Sequence, residues 1–410
     1  MLSADYRKAL GRKIAFNRKR RGLSQKEFAG LLGRSEAWVS QVERGARRID
    51  RMTVLEKVAE ALDMPVAELA AEAPLLVSAA EEERPGAGRL RLVLSTAHSL
   101  KAVLDRQEAA PDVLALREDV ERAWSLTHQG RYADLGELLE DLVPRLESAT
   151  RSAPEAERPE LFRMLAVTYH ACSGALANLG EPDVAWVAVD RAVTAAERAD
   201  DPLLMAAGEF RLSLLFLGAR HFDQTAQVSG SAADALRSLA EAGRVEATAL
   251  RGALTLQRAL AAARLNQAED AYGHLREARE MAEQVGCGRN DYNTEFGPAN
   301  VGLHEVAVAV DLGDAGVALR AAQALDVSEL SAERQTRFHV DVARAHAQRR
   351  HVDDAVRALL KARETSPEMV QGLPVVKRLA ADLLTMSQPP SEELRSFTEE
   401  LGVSEVRSSG

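Results

Sequence analysis

The chain has 410 residues, 46% of them apolar, 28% charged and 4% aromatic, an ordinary globular balance that argues against wholesale disorder and against residence in a membrane. So few aromatics imply a core of Ala, Leu and Val, which suits close helix packing better than β-sandwiches. The net charge of −10 hides an asymmetry, since residues 1–75 carry +5 and the remainder −15, so only a small basic head suits a polyanion.

In chain order, the head reads as five short helices. Residues 3–20 place Tyr6, Leu10 and Ile14 at helical spacing and stop at Gly22. Ser24 caps a second helix, with Glu27 three residues on to complete a capping box. Gly33 breaks it. Ser35 caps a third helix that runs to Arg44 and Gly45, and Asp50 begins a fourth with Val54, Leu55, Val58 and Leu62 inward. Residues 66–71 read as a fifth. Ala29 and Gly33 sit where two steeply crossed helices need a small residue and a turn glycine, and Val39 and Val42 supply the buried side of the third helix.

Over residues 10–70 this arrangement resembles the phage-repressor-like XRE class of helix-turn-helix DNA-binding domains. The resemblance implies that Gln25 binds a backbone phosphate, that Glu36, Ala37 and Gln41 face base edges in the major groove, and that Arg18 and Glu43 form an internal ion pair. Ala37 departs from the family in offering only an apolar contact, while Gln41 suits adenine and Glu36 a cytosine amino group. Arg34, Arg44, Arg47, Arg48 and Arg51 flank the recognition helix and are expected on phosphates. Trp38 is expected to pack.

Residues 74–88 contain a Glu run and a Pro-Gly-rich stretch, which predicts a linker between a head over 1–73 and a body over 89–403, with a tail at 404–410. The body has helical period throughout and no convincing strand pattern. Small or apolar residues recur at spacings of four and then three: Leu135, Leu139 and Leu142; Ala185, Val189 and Ala192; Ala226, Gly230 and Ala233; Ala271, Leu275 and Ala278; Ala318, Ala322 and Leu325; and Ala355, Leu359 and Ala362, the last followed by Pro367. The pattern is that of the second helix of a tetratricopeptide pair, in a degenerate array whose period exceeds the usual ~34 residues. Six pairs are expected, stacked with the first helix of each on the concave wall. The expected fold is all-α: a helix-turn-helix domain followed by a TPR-like α-solenoid. The whole chain resembles actinobacterial XRE regulators with such an array and, more distantly, the peptide-sensing RRNPP group.

Within the array, residues 288–304 hold three of the six asparagines of the chain. Two readings stand side by side. Asn293, Asn300 and His304 could offer amide and imidazole groups to a ligand, together with Tyr169, Arg211 and Arg251 on the concave wall. Alternatively, Asp291 or Thr294 caps a helix that Gly297-Pro298 kinks.

No P-loop, nucleophile elbow or complete zinc-protease motif occurs, and Cys172 and Cys287 stand far apart, so neither an enzyme nor a cofactor or metal site is expected. His339, His346 and His351 read as exposed helix residues. The N-terminus has no apolar signal segment, so a cytoplasmic, nucleoid-associated protein is expected. The implied function is a homodimeric transcriptional regulator that reads an inverted-repeat operator in double-stranded DNA, with an array that senses a small molecule or peptide. The alternative is a DNA-tethered scaffold whose array recruits a partner protein.

Overall fold

A computed structural model describes residues 4–47, 49, 52–64, 69, 87–95, 112–387 and 389–403. Most of the expected fifth helix, most of the linker and the tail lie outside them. The described residues form 21 α-helices and no strand.

The head comprises α1 (Ala4–Arg20), α2 (Gln25–Leu32), α3 (Glu36–Glu43) and α4 (Met52–Leu62). The capping box forms as expected: the Ser24 hydroxyl accepts the Glu27 N–H, and the Glu27 carboxylate accepts the Ser24 N–H at 2.8 Å. Gly33 closes α2 in the left-handed region (φ +62°), and Ser35 accepts the Trp38 N–H to open α3. Ile14, Phe28, Ala29, Val39, Val42, Val58 and Leu62 fill the core of the head.

A short helix, α5 (Ala87–Val93), begins inside the expected linker and buries Leu90 and Val93 in the core of the first helix pairs. Six pairs follow: α6 (Val113–His128) with α7 (Tyr132–Ser152), α8 (Arg158–Asn178) with α9 (Pro182–Arg198), and α10 (Pro202–Gly218) with α11 (Phe222–Ala235). After the small α12 (Arg237–Glu241) come α13 (Val245–Arg264) with α14 (Ala268–Val285), α15 (Pro298–Leu312) with α16 (Ala315–Ala324), and α17 (Ala332–Gln348) with α18 (Val352–Thr365). The pairing is consistent with the expected solenoid. Each pair turns on one left-handed residue (Gly130, Gly180, Arg220, Asn266, Gly313, Arg350), all at φ between +61° and +85°. Three of the six are not glycine, so this shared device leaves no uniform trace in the sequence.

The small-residue positions on the second helices are buried as expected in α7, α9, α14 and α18. In α11 the buried face is shifted by one residue: Thr225, Ser229 and Ala232 point inward, while Ala226 and Gly230 are half-buried. The Thr225 and Ser229 hydroxyls can be buried because they donate to the carbonyls of His221 and Thr225 one turn back. Leu325 lies just past α16 in extended backbone and packs over Gly302.

The array curls until its end meets its beginning. Arg131 offers no side-chain cap to α7, and the carboxylate of Glu368, in α19 (Pro367–Gly372), accepts the N–H groups of Tyr132 and Ala133 at 3.1 and 3.0 Å instead. Arg337 donates to Asn178, whose amide donates to the Tyr132 hydroxyl. A Cβ on Gly372 would stand 2.3 Å from the Asn178 carbonyl, so only glycine permits this approach. Helices α20 (Pro374–Met386) and α21 (Glu392–Glu400) close the end of the array, and Met386 also packs against the core of the head.

Candidate nucleic-acid interface

The local sequence aims α3 outward. Val39 and Val42 are buried, which turns Glu36, Ala37 and Gln41 to solvent. Arg34, Arg44 and Arg47 are exposed beside them, with the Arg34 guanidinium over the Trp38 ring at 5.7 Å. Trp38 itself is buried. Arg48 and Arg51 lie outside the described residues. The expected internal pair forms: Arg18 meets the two Glu43 oxygens at 2.5 and 3.1 Å, and Gln25 donates to Glu43 at 2.7 Å. The Gln25 side chain is therefore turned toward this pair. Gly11 also matters at the α1–α3 crossing, where a Cβ would lie 2.4 Å from the Val42 carbonyl.

The head is docked on the array through the α1–α2 turn, an arrangement without local warning in the sequence. Gly22 (φ +71°) fits against Ala347, whose carbonyl a Cβ would meet at 2.3 Å. Gln348 donates to the Arg20 carbonyl, Arg20 reaches Asp311 at 3.0 Å, and Arg21 pairs with Asp382. Glu27, already used in the capping box, accepts both ends of Arg350 at 2.6 Å. Burial raises its carboxyl, but the Arg350 and Ser24 hydrogen bonds outweigh that and hold it down at about 2. Docking uses the turn and leaves Glu36, Ala37 and Gln41 of α3 exposed.

Inside the array, the segment from Gly286 to Gly297 carries Tyr292, Asn293 and Glu295 in left-handed backbone. Its Phe296 is buried on Gly252, where a Cβ would collide with the ring. Pro298 does not kink a helix. It opens α15 at a first turn where a missing N–H costs nothing, and neither Asp291 nor Thr294 caps it.

The structure gathers four of the six candidate ligand residues at this segment. Asn300 donates to the carbonyls of Thr294 and Glu295, at 3.3 and 3.0 Å, and its buried Oδ1 has no partner. His304 donates through Nδ1 to the Asn300 carbonyl at 2.8 Å. Burial, with Arg334 adding to it, pushes the His304 imidazole down to about 3. Arg211 donates to the Asn293 carbonyl while its guanidinium stacks on Trp124 and Phe210. Tyr169 and Arg251 are engaged elsewhere, on Glu147 and the Ala233 carbonyl. Asn293 lines a recess of about 530 Å³ together with Trp124, His128 and Ser331.

His339 is buried, contrary to expectation, because α17 turns it inward. His346 and His351 come within 4.8 Å of Asp354 across the α17–α18 turn, where Arg357 also engages Asp354. Cys172 is buried and Cys287 exposed, both as free thiols.

Residues 9–71 match a family model described as a helix-turn-helix domain. No curated protein matches the chain. The chain thus carries a helix-turn-helix domain, which supports a DNA-binding regulator. No helix among the described residues is long and apolar enough to cross a membrane.

Proposed function

We propose that this helix-turn-helix protein is a sequence-specific transcriptional regulator of the XRE type, held on the nucleoid by its head, whose TPR-like array dimerises and answers to a small molecule or peptide. The observation that carries the reading is the exposed triad Glu36, Ala37 and Gln41, flanked by Arg34, Arg44 and Arg47 and left open by the docked array. One recognition helix reads only a few base pairs, too few to choose a genomic site. A two-fold dimer doubles that information, with half-sites about one helical turn apart. The basic heads repel one another, so the dimer contact belongs to the array.

Selection of binding sites from randomised duplexes by the full chain tests this directly. The expected product is an inverted repeat bound by a dimer in sedimentation, with affinity that falls as salt rises. A pool that stays random after repeated rounds overturns sequence-specific regulation, and a monomer at micromolar concentration overturns the dimer.

A further inference from the structure

Between head and array lies a cavity of about 470 Å³. Its wall comes mainly from the first helices α10, α13, α15 and α17, with α20 and the ends of α1 and α4. Eight arginines and four aspartates line it. Counting Glu295 and Glu333, which approach Arg334 and Arg337 at 3.5 Å, eight guanidinium groups still face six carboxylates.

The crowding is greatest at Asp311, a single carboxylate shared by Arg20 of the head and by Arg264 and Arg344 of the array at 3.0, 2.9 and 2.6 Å. Burial raises the Asp311 carboxyl, yet Arg344, Arg264 and Arg20 hold it well below the usual carboxylate range. Burial pushes the Arg20 guanidinium down, Asp311 opposes this, and Arg344 and Arg264 add to burial.

One donor of an arginine in this crowd lacks an acceptor. The Nε of Arg20 is buried without a hydrogen bond, whereas that of Arg334, also without one, stands 3.5 Å from a Glu295 carboxylate oxygen. A buried donor left unpaired is costly, and with eight guanidinium groups to six carboxylates the site is short of negative charge. The same cavity carries an apolar strip, formed by Leu217, Leu260, Leu303, Ala307 and Val340.

We propose that this cavity is the effector site and that it takes a small amphiphilic anion, a carboxylate or phosphate on an apolar body. The guanidinium forks receive the anionic group, and the strip receives the body. Because Arg20 and Arg21 belong to the head while Arg264, Arg344 and Arg378 belong to the array, the bound anion ties the two together and favours the docked state. The inference rests on the reading that the array tunes DNA binding, but the site can be tested without DNA.

Octyl phosphate and octanoate, with octanol and inorganic phosphate as comparisons, are titrated calorimetrically into the full chain. At least one of the two amphiphilic anions is expected to bind about tenfold or more tighter than both comparisons, and which one does so identifies the head group. Arg264→Gln and, should that variant fold poorly, Arg378→Gln are expected to weaken binding about tenfold. Arg20→Gln is expected to weaken it as well, since the head supplies part of the site. Octanol or inorganic phosphate binding as tightly as the tighter of the two anions, or binding unchanged in the arginine variants, overturns the proposal. A site that binds as expected on a chain that selects no DNA sequence would instead sink the regulatory reading and leave the anion site standing.

Discussion

The head and the array use buried polar groups in opposite ways. In the head, one polar cluster (Arg18, Glu43, Gln25) braces the crossing of α1 and α3, and Glu36, Ala37 and Gln41 stay in solvent. In the array, the helices pack through buried Ala and Leu, and a set of polar and charged groups also converges in the interior around Asp311, Asn300 and His304. A surface that meets an extended polyanion needs exposed side chains on a rigid brace. A cavity that meets a small solute needs convergent side chains instead.

Breaking the brace should have the largest effect. Glu43→Ala strands the buried Arg18 guanidinium, and losing one partner of such a pair costs roughly 3–5 kcal/mol. Calorimetric unfolding of the full chain is expected to show the head melting early while most helix content persists. A head that melts with the wild-type profile would show that the crossing stands on its apolar contacts alone.

Acid should strike the array instead. Burial holds the imidazoles of His170 and His304 at about 3, against an ordinary 6.5. Because the unfolded chain takes up protons first, the stability these groups support is complete above pH 6.5 and drains away as pH falls toward 3. Each should lose about 2 kcal/mol between pH 6.5 and 5. Denaturant midpoints across that range, compared with His304→Gln, measure the share of one imidazole. An unchanged slope in the variant would contradict the assignment.

A smaller loss sharpens the comparison within the array. Gly252→Ala places a methyl in the Phe296 ring, and overpacking of this kind costs about 1–3 kcal/mol. Hydrogen exchange should quicken across residues 286–297 and leave the head unaffected. Uniform quickening would mean that the segment is not an independent element.

The effects expected at the exposed face of α3 are read in binding rather than in stability, and are no larger. Gln41→Ala is expected to relax preference at one base pair by about 1–3 kcal/mol, whereas Arg47→Ala should weaken all sequences alike and flatten the salt slope by about 0.9. Equal losses on every sequence for Gln41→Ala would remove it from base readout. The weak contact between Arg47 and the Gln41 oxygen, at 3.4 Å, leaves both side chains available.

By itself the sequence determined the all-α class, the capping box at Ser24 and Glu27, the Arg18–Glu43 pair suggested by family resemblance, and six helix pairs. Each of these rests on residues close in the chain or on a repeating spacing. It could not place the buried face of α11, where Thr225 and Ser229 replace the expected Ala226 and Gly230, because a hydroxyl bonded to its own helix buries as readily as a methyl. Only the tertiary structure decided that Gly22, which looks like an ordinary helix stop, is also a contact surface for Ala347. It alone showed that Glu368 caps a helix more than two hundred residues away, and that Asp311 gathers three arginines from three helices. Charge pairs and close approaches across such separations depend on how the array curls. That curl is the sum of many small packing angles, and no single stretch of sequence encodes it.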